Sequence, residues 1–312
     1  MDRISVVHKF LDERSLLPME VPECVLALVR RLQLLSYWEL AALASVLGFA
    51  AANLKALPLA HSLRLLPSLG RLFAPRLFGH RSGKARKQPS NAVATAPGEE
   101  AAAAAAAMAA AHPPLFRHHT TSSRAIPLDL DLNMHKSNST FFADADVSRA
   151  ALLTSMLSDA LAARGGALFV LAGTQCKFLR EIRPLQAYAV ASQVLAWTDK
   201  ALYTVTYFVS PRRGDAGAVC GLPGGPNAVL KEDKLRRKVF AILVSKYVFK
   251  AGRATVAPAK VFDAAGLLLL SGGDEKELGG KEDRKEAATI LSAEEVEEVV
   301  QNGMQFVRDC ML

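Results

Sequence analysis

The pattern of apolar and polar residues is most regular in the middle of the chain, over residues 139–164. Apolar side chains recur there every three to four positions, as on a helix that buries one face. They are Phe142, Ala145, Leu152, Leu153, Met156, Leu157, Ala160 and Leu161. Gly165 and Gly166 follow, and glycine commonly ends a helix. The pattern therefore predicts one long helix over residues 139–164.

Segments rich in Val, Phe, Tyr, Thr and Leu lie on either side of short turns after this helix. They predict strands at residues 168–178, 187–197, 202–209, 239–249 and 253–261, and residues 115–123 before the helix can also be extended. Residues 198–200 are typical of a hairpin turn. No crossover helix fits between residues 168 and 209, which excludes a doubly wound parallel sheet. One helix followed by an antiparallel meander indicates the α+β class.

Changes in composition divide the chain into four parts. The expected parts are a helical region at 1–81, a low-complexity linker at 82–112, the α+β domain at 113–265 with an insertion at about 210–238, and a tail at 266–312. The tail begins as a charged linker. Residues 292–295 match a capping box, so an amphipathic helix that packs on the sheet or on a neighbouring subunit is predicted after it.

The N-terminal region contains an apolar segment at residues 33–54, in which Glu39 is the only charged residue. A spanning helix needs roughly 20 mainly apolar residues, so we expect a membrane anchor here. Glu39 and the many alanines leave a buried or amphipathic helix as the alternative. Basic residues are denser after the segment than just before it, which predicts a membrane-associated protein with the rest of its chain in the cytosol. A cytoplasmic protein is the alternative, and no cleaved signal peptide is expected.

Charge and cysteine content exclude several classes of protein. The 312 residues include 38 Lys and Arg and 30 Asp and Glu, which gives a net charge of +8. The densest basic cluster, residues 81–87, has no aromatic residues between its bases, so we predict no nucleic-acid partner. The four cysteines lie far apart, which excludes a disulfide scaffold and indicates a reducing compartment.

Candidate chemistry is concentrated just before the long helix. Asp129, Asp131, His135 and Asn138 bring two carboxylates, an imidazole and a carboxamide into one loop. The unpaired N–H groups and the dipole at the start of the helix favour negative charge. A carboxylate in this loop can act as base or nucleophile while the N–H groups hold an oxyanion. The segment therefore suits the cleavage of an ester.

The order of these residues is D-x-D-x-x-x-H-x-x-N, followed by an aromatic residue and by D-x-x-R within the helix. It resembles the active-site loop and central helix of hotdog-fold acyl-thioesterases, and in particular the thioesterase superfamily member 6 type and fungal biosynthetic-cluster thioesterases. The similarity continues through residues 178–185 and 196–203 and covers roughly residues 113–262.

This resemblance implies a hotdog fold, in which an antiparallel sheet of five or six strands wraps around a long central helix. It also implies a homodimer that hydrolyses an acyl thioester of coenzyme A or of an acyl-carrier protein within a biosynthetic pathway. No metal or cofactor is expected.

The resemblance also assigns roles to individual residues. Asp131 matches the family's catalytic carboxylate, and His135 and Asn138 match the His and second Asn of its H-x-N-N pattern. Ser137 stands in place of the first Asn, and Phe141 in place of the usual tyrosine. The expected site comprises the catalytic residues Asp131, His135 and Asn138 and the substrate-binding residues Ser139, Phe141 and Phe142.

Each of these residues also has a structural alternative. The alternative for Asp131 is to cap a turn or the start of the helix, and the alternative for Asn138 or Ser139 is to cap the helix. The alternative for His135 is a structural hydrogen-bonding role. Asp144 and Asp146, in the first helical turns, are expected to interact with the helix dipole. Asp129 is likewise expected to be structural.

Alternatives for the whole protein are a non-catalytic acyl- or protein-binding hotdog tethered to a membrane, a membrane-tethered scaffold, and a hotdog dehydratase. The sequence contains no G-x-S-x-G elbow, no phosphate-binding loop and no His or Cys spacing typical of a metal site.

Overall fold

The computed structural model describes residues 25, 36–77, 114–221, 224–268 and 293–311, and the chain divides into two compact units, Met1–Leu54 and Lys55–Leu312. In the first unit, helix α1 (Tyr37–Ala52) begins at a capping box, in which the Ser36 hydroxyl accepts from the Glu39 N–H and the Glu39 carboxylate accepts from the Ser36 N–H. None of the described helices combines the length and apolarity needed to cross a membrane. The spanning helix expected at 33–54 is therefore not found in the described residues, because α1 has 16 residues where roughly 20 are needed.

The second unit is built from seven helices and six strands among its described residues. They are α2 (Ala60–Leu77), β1 (His119–Arg124), α3 (Asn138–Ala163), β2 (Leu168–Phe178), β3 (Ala187–Trp197), β4 (Leu202–Val209), α4 (Asp215–Cys220), α5 (Gly225–Lys231), α6 (Asp233–Arg236), β5 (Val239–Ala251), β6 (Ala254–Val256), α7 (Pro258–Ala264) and α8 (Ala293–Met311). Short 3-10 turns occur at Leu54–Ala56, Pro114–Phe116 and Pro127–Asp129.

The six strands form one antiparallel sheet in the order β1-β3-β4-β5-β2, with β6 paired to β5. Helix α3 packs against β1, β3 and β4. A long helix held by a six-stranded antiparallel sheet is the hotdog arrangement, so the expected α+β fold is confirmed. Strands β2, β3 and β4 have the predicted bounds, and α3 begins and ends within one residue of its prediction.

One predicted strand is wrong over most of its length. Residues 253–261 were expected to be extended, but β6 covers only Ala254–Val256 and α7 begins at Pro258. Proline suits the first position of a helix, because its φ is already helical and its missing N–H would have no partner there.

The sheet is covered on both faces, as the alternation of side chains along its strands requires. On β3, Tyr188 and Val190 point to the α3 side, whereas Ala189 and Ala191 point to the opposite side. The opposite face packs against Val219, Val229 and Leu235 of the insertion and against Phe306 and Val307 of α8. The C-terminal helix therefore covers the sheet of its own chain, one of the two positions expected for it.

Candidate active site

The loop at residues 131–135 is closed by backbone hydrogen bonds at both ends. Leu130 and Lys136 form an isolated antiparallel bridge, and the Asp131 N–H donates to the His135 carbonyl at 2.9 Å. Met134 adopts a left-handed φ of 57° within the turn. The Lys136 N–H then donates to the carbonyl of Ile182 at 2.9 Å, which ties the loop to the β2–β3 connection. The chemistry-bearing loop is therefore held firmly on the hotdog core.

Asp131 uses one carboxylate oxygen to hold this turn. Its Oδ1 accepts hydrogen bonds from the N–H groups of Asn133 at 2.9 Å and His135 at 3.4 Å. Its Oδ2 accepts none within the described part of the chain, and the residue is half-buried. The turn-capping role predicted as an alternative is thus seen, but it occupies only one oxygen and leaves the other for chemistry.

The other carboxylates of the segment are paired with cations. Asp129 Oδ2 lies 2.5 Å from Lys55 Nζ, and Asp144 Oδ2 lies 2.9 Å from Lys136 Nζ. Asp146 contacts Arg149 at 3.3 Å. Among the described residues, Asp131 is therefore the one carboxylate between residues 129 and 146 without a cationic neighbour.

Lys136 is the centre of a buried ion cluster beneath the loop. Its ammonium group is completely buried and lies 2.9 Å from Asp144, 3.4 Å from Asp129 and 2.9 Å from the Thr140 hydroxyl. Three acceptors match the three N–H donors of an ammonium group. Burial lowers the pKa of Lys136, although the two carboxylates act in the opposite direction.

Asp144 receives the remaining contacts of this cluster. The Tyr188 hydroxyl donates to its Oδ2 at 2.5 Å, and Arg64 and Lys55 approach at 3.0 and 3.2 Å. Burial alone would raise the pKa of this carboxyl, but the ammonium groups of Lys136 and Lys55 and the Tyr188 hydroxyl outweigh it and hold the pKa well below its usual value. Asp144 therefore stays ionised and paired, so it is unsuited to act as a base.

Sequence reasoning missed Lys136, Lys55, Arg64 and Tyr188 as members of this cluster. Lys55 and Arg64 lie some 70 to 90 residues before their partners, so no local spacing links them. Lys136 carries no sequence signal that distinguishes a buried lysine from an exposed one. A weak signal did exist in the density of aspartates between residues 129 and 146, because buried carboxylates need cations nearby.

His135 and the start of α3 complete the candidate site. His135 Nε2 lies 2.9 Å from Glu181 Oε2, so the imidazole is oriented by the β2–β3 connection. The N-cap of α3 is Ser137, rather than Asn138 or Ser139 as suggested by the structural alternative. Asn138 and Ser139 are the first two helical residues and are exposed, and N–H groups at these positions have no carbonyl one turn earlier to bond.

The two expected substrate-binding phenylalanines lie deeper than the loop. Phe141 is 2% exposed and packs edge-to-face on Phe178, with ring centroids 5.1 Å apart, and against Phe208 at 4.7 Å. Phe142 is half-buried against the same cluster. The structure thus brings Asp131, His135 and the helix start to one surface and puts the Phe141 ring in the core beneath it.

Comparison with known proteins bears on this site directly. The family model of the thioesterase-like superfamily matches residues 126–225, which contain the loop, α3 and strands β2 to β4. Residues 126–225 are thus similar to the thioesterase-like superfamily, and we refer to the hotdog unit that contains them as the thioesterase-like domain. The matched residues include Asp131, His135 and Asn138.

Curated relatives of the thioesterase-like domain come from fungi and from an animal. The chain is 39% identical over 165 residues to the thioesterase poxG of Penicillium oxalicum, which covers 48% of this chain and 54% of that protein. It is 34% identical over 197 residues to the probable thioesterase atnL of Emericella nidulans, and the match covers 57% of this chain and 62% of that protein. It is 32% identical over 99 residues to the protein THEM6 of Xenopus laevis, and the match covers 31% of this chain and 47% of that protein. The chain thus spans about half to three-fifths of the length of these relatives.

Other chemistry has little support near the thioesterase-like domain's loop. Within the described ranges, no three His, Cys, Asp or Glu side chains converge in a way that could hold a metal ion. Burial raises the pKa of the Cys176 thiol to about 12, so this cysteine is almost entirely protonated at neutral pH and a poor nucleophile.

Proposed function

We propose that this protein hydrolyses an acyl thioester carried by coenzyme A or by an acyl-carrier protein, with Asp131 as the catalytic carboxylate. The observation that carries the proposal is the free Oδ2 of Asp131, the one carboxylate of the segment without a cation among the described residues. Relatives named as thioesterases support the same reaction.

In the proposed reaction, Asp131 Oδ2 accepts a proton from a water molecule as the water oxygen bonds to the acyl carbon. The C–S bond then breaks, and the proton passes to the leaving thiolate, so that a carboxylic acid and a free thiol are formed. In a variant of this route, Oδ2 attacks the acyl carbon directly and the thiolate leaves, which forms an anhydride between Asp131 and the acyl group. Water then cleaves this anhydride. Both routes use a positioned carboxylate.

The start of α3 has the complementary role. The exposed N–H groups of Asn138 and Ser139 are suited to bind the carbonyl oxygen as it becomes negative, helped by the positive end of the helix dipole. His135, held by Glu181, is suited to orient the thioester beside Asp131. Phe141 and Phe142 form the apolar floor beneath this position.

The exposed edge of the sheet supports the homodimer expected for this fold. Strand β2 has 11 residues and lies at one end of the sheet, where β5 is its only neighbour among the described strands. Leu168, Val170 and Leu171 are 39%, 49% and 40% exposed on it. A long edge strand with apolar side chains favours pairing with another strand, and we propose that β2 pairs with β2 of a second copy.

We further propose that hydrolysis takes place in a reducing, cytosolic setting. Cys176, Cys220 and Cys310, the cysteines of the described residues, are all free thiols. Free thiols are typical of such compartments.

Thiol release from acyl-coenzyme A and acyl-carrier-protein thioesters of graded chain length tests the proposal. We expect Asp131→Asn to lose about a hundredfold or more in kcat, because a positioned acid or base contributes on the order of 10²–10⁴-fold. Asp199→Asn, which changes an exposed aspartate in the β3–β4 turn, is the matched control and should keep full turnover. Equal rates for wild type and Asp131→Asn would remove Asp131 from the mechanism. Ligand binding without turnover would favour the non-catalytic hotdog.

A further inference from the structure

A basic groove lies along the connection between β2 and β3. It has a volume of about 820 Å³, opens to solvent and is lined by residues 179–181 and 183–186. A second cavity of about 220 Å³ shares Leu179 and Arg180 with it and extends to α6. We refer to the two together as the arginine groove. Its size falls in the range of sites that bind small organic ligands.

The arginine groove carries an excess of positive charge. Its four exposed arginines are Arg180, Arg183, Arg236 and Arg237, and its two acids are Glu181 and Asp233. The Glu181 carboxylate lies 2.9 Å from His135 Nε2, so its charge is directed to the loop of the candidate site. The four arginines offer guanidinium groups to a ligand. A guanidinium group binds phosphate oxygens in a bidentate fashion.

Parts of the arginine groove are held in place by their own contacts. The Arg180 guanidinium lies 5.0 Å from the centroid of the Phe240 ring. The N–H groups of Leu179 and Arg180 both donate to the Phe240 carbonyl, at 2.8 and 3.0 Å. The Arg183 N–H donates to the Gln186 side chain at 2.8 Å. Such anchoring lowers the entropy lost when a ligand binds.

The arginine groove adjoins the loop of the candidate active site. The same connection that lines the groove contacts the catalytic loop through Glu181 and His135 and through the hydrogen bond from Lys136 to Ile182. A thioester whose carbonyl lies at Asp131 would therefore extend its carrier along this connection. Arg236 and Arg237 reach the groove from the insertion between β4 and β5.

We propose that the arginine groove binds the nucleotide end of coenzyme A, so that coenzyme A is the carrier of the thioester. Four guanidinium groups suit its diphosphate and its ribose 3′-phosphate, and Leu179, Pro184 and Leu185 offer apolar surface for the adenine ring. A concave site of this size fits a small molecule, whereas a carrier protein would dock on a broader surface. This assignment rests on the proposed thioester hydrolysis.

Calorimetric titration with adenosine 3′,5′-bisphosphate tests the groove without any reaction. We expect the full chain to bind this nucleotide and the double variant Arg236→Gln/Arg237→Gln to bind it about tenfold or more weakly, because hydrogen bonds to charged groups are strong. Arg253→Gln is the matched control. Arg253 is exposed in the turn after β5. Phe240, which contacts the groove, lies at the start of this 13-residue strand, so Arg253 lies at the opposite end from the groove. Equal affinity in wild type and double variant, or no binding by wild type, would overturn the proposal.

Kinetics with acyl-coenzyme A and acyl-pantetheine separate this proposal from the proposed function. We expect a lower KM for acyl-coenzyme A, and an about tenfold or larger rise of that KM in the double variant. Hydrolysis of both thioesters with the same KM would overturn the groove assignment and leave hydrolysis standing. Nucleotide binding without hydrolysis of any thioester would do the reverse. Turnover confined to acyl-carrier-protein thioesters, slowed in the double variant, would replace coenzyme A with a protein carrier.

Discussion

Lys136 is the residue whose replacement tests the physical reasoning about the site most severely. Its ammonium group is fully buried and bonded to Asp129, Asp144 and Thr140. Lys136→Met keeps a side chain of similar length but removes one positive charge from beside the buried carboxylates of Asp129 and Asp144. Removing one partner of a buried ion pair costs about 3–5 kcal/mol, because the other charge stays desolvated.

The remaining cations set where in this range the effect should lie. Lys55 and Arg64 still contact Asp144, at 3.2 and 3.0 Å, but their side chains are 18% and 27% exposed and less strongly coupled than Lys136. We therefore expect the free energy of unfolding to fall by about 3 kcal/mol, near the lower end of the range. The loop should lose order as well, because the Lys136 ammonium group anchors the end of the loop to Asp129, Asp144 and Thr140.

Urea denaturation followed by the fluorescence of Trp197, which packs on Phe262 with ring centroids 5.1 Å apart, measures this effect. Lys200→Met, at an exposed position of the β3–β4 turn, is the control and should change stability by less than about 0.5 kcal/mol. In a double-mutant cycle with Asp144→Asn, we expect a coupling energy of about 1–3 kcal/mol. A loss below about 1 kcal/mol in Lys136→Met, or a coupling near zero, would refute the buried ion cluster.

Two further predictions concern packing and pH. A methyl group on Gly303 would come within 2.5 Å of the Leu195 carbonyl oxygen. Gly303→Ala should therefore lower the free energy of unfolding by about 1–3 kcal/mol in urea titrations. Gly70→Ala is the control, because a Cβ there meets open space, and it should raise the free energy of unfolding by up to about 1 kcal/mol. Unchanged stability in Gly303→Ala would show that α8 does not pack on β3 as described. Burial, with the charge of Arg71, lowers the pKa of His119 to about 4, so the unfolded chain takes up the proton first as the pH falls. The stability due to neutral His119 is therefore complete above about pH 6.5 and lost as the pH falls to about 4, by at most about 3 kcal/mol. In His119→Gln, the free energy of unfolding should depend less on pH between these values than in wild type. If the plots of unfolding free energy against pH stay parallel for the two proteins, His119 is not the group responsible.

Much of the fold could be predicted from the sequence because its signals are local. The bounds of β2, β3 and β4 follow from runs of β-branched and aromatic residues between turn residues. The bounds of α3 follow from an apolar period that only a helix can bury on one side. The wrong strand prediction after β6 also has a local cause, because Pro258 starts a short helix whose apolar residues are equally typical of a strand.

The candidate site was partly predictable for the same reason. Asp131, His135 and the helix start are close in sequence, so the motif brings them together with little help from the rest of the fold. What the motif could not decide was which aspartate is free. That depends on Lys55 and Arg64, which reach the cluster from a distant segment, and on Tyr188 of β3.

The sequence by itself determined the α+β class, the bounds of the central helix and three of the strands, and a loop with the residue types for thioester cleavage. Only the tertiary structure decided that Asp129 and Asp144 are neutralised by buried cations and that Asp131 is not. It also brought Arg180 next to Arg236 and Arg237 across more than 50 residues of chain. The physical reason is that hydrophobic periodicity and turn chemistry act over a few residues, whereas burial and charge pairing depend on segments that meet only after the chain has folded.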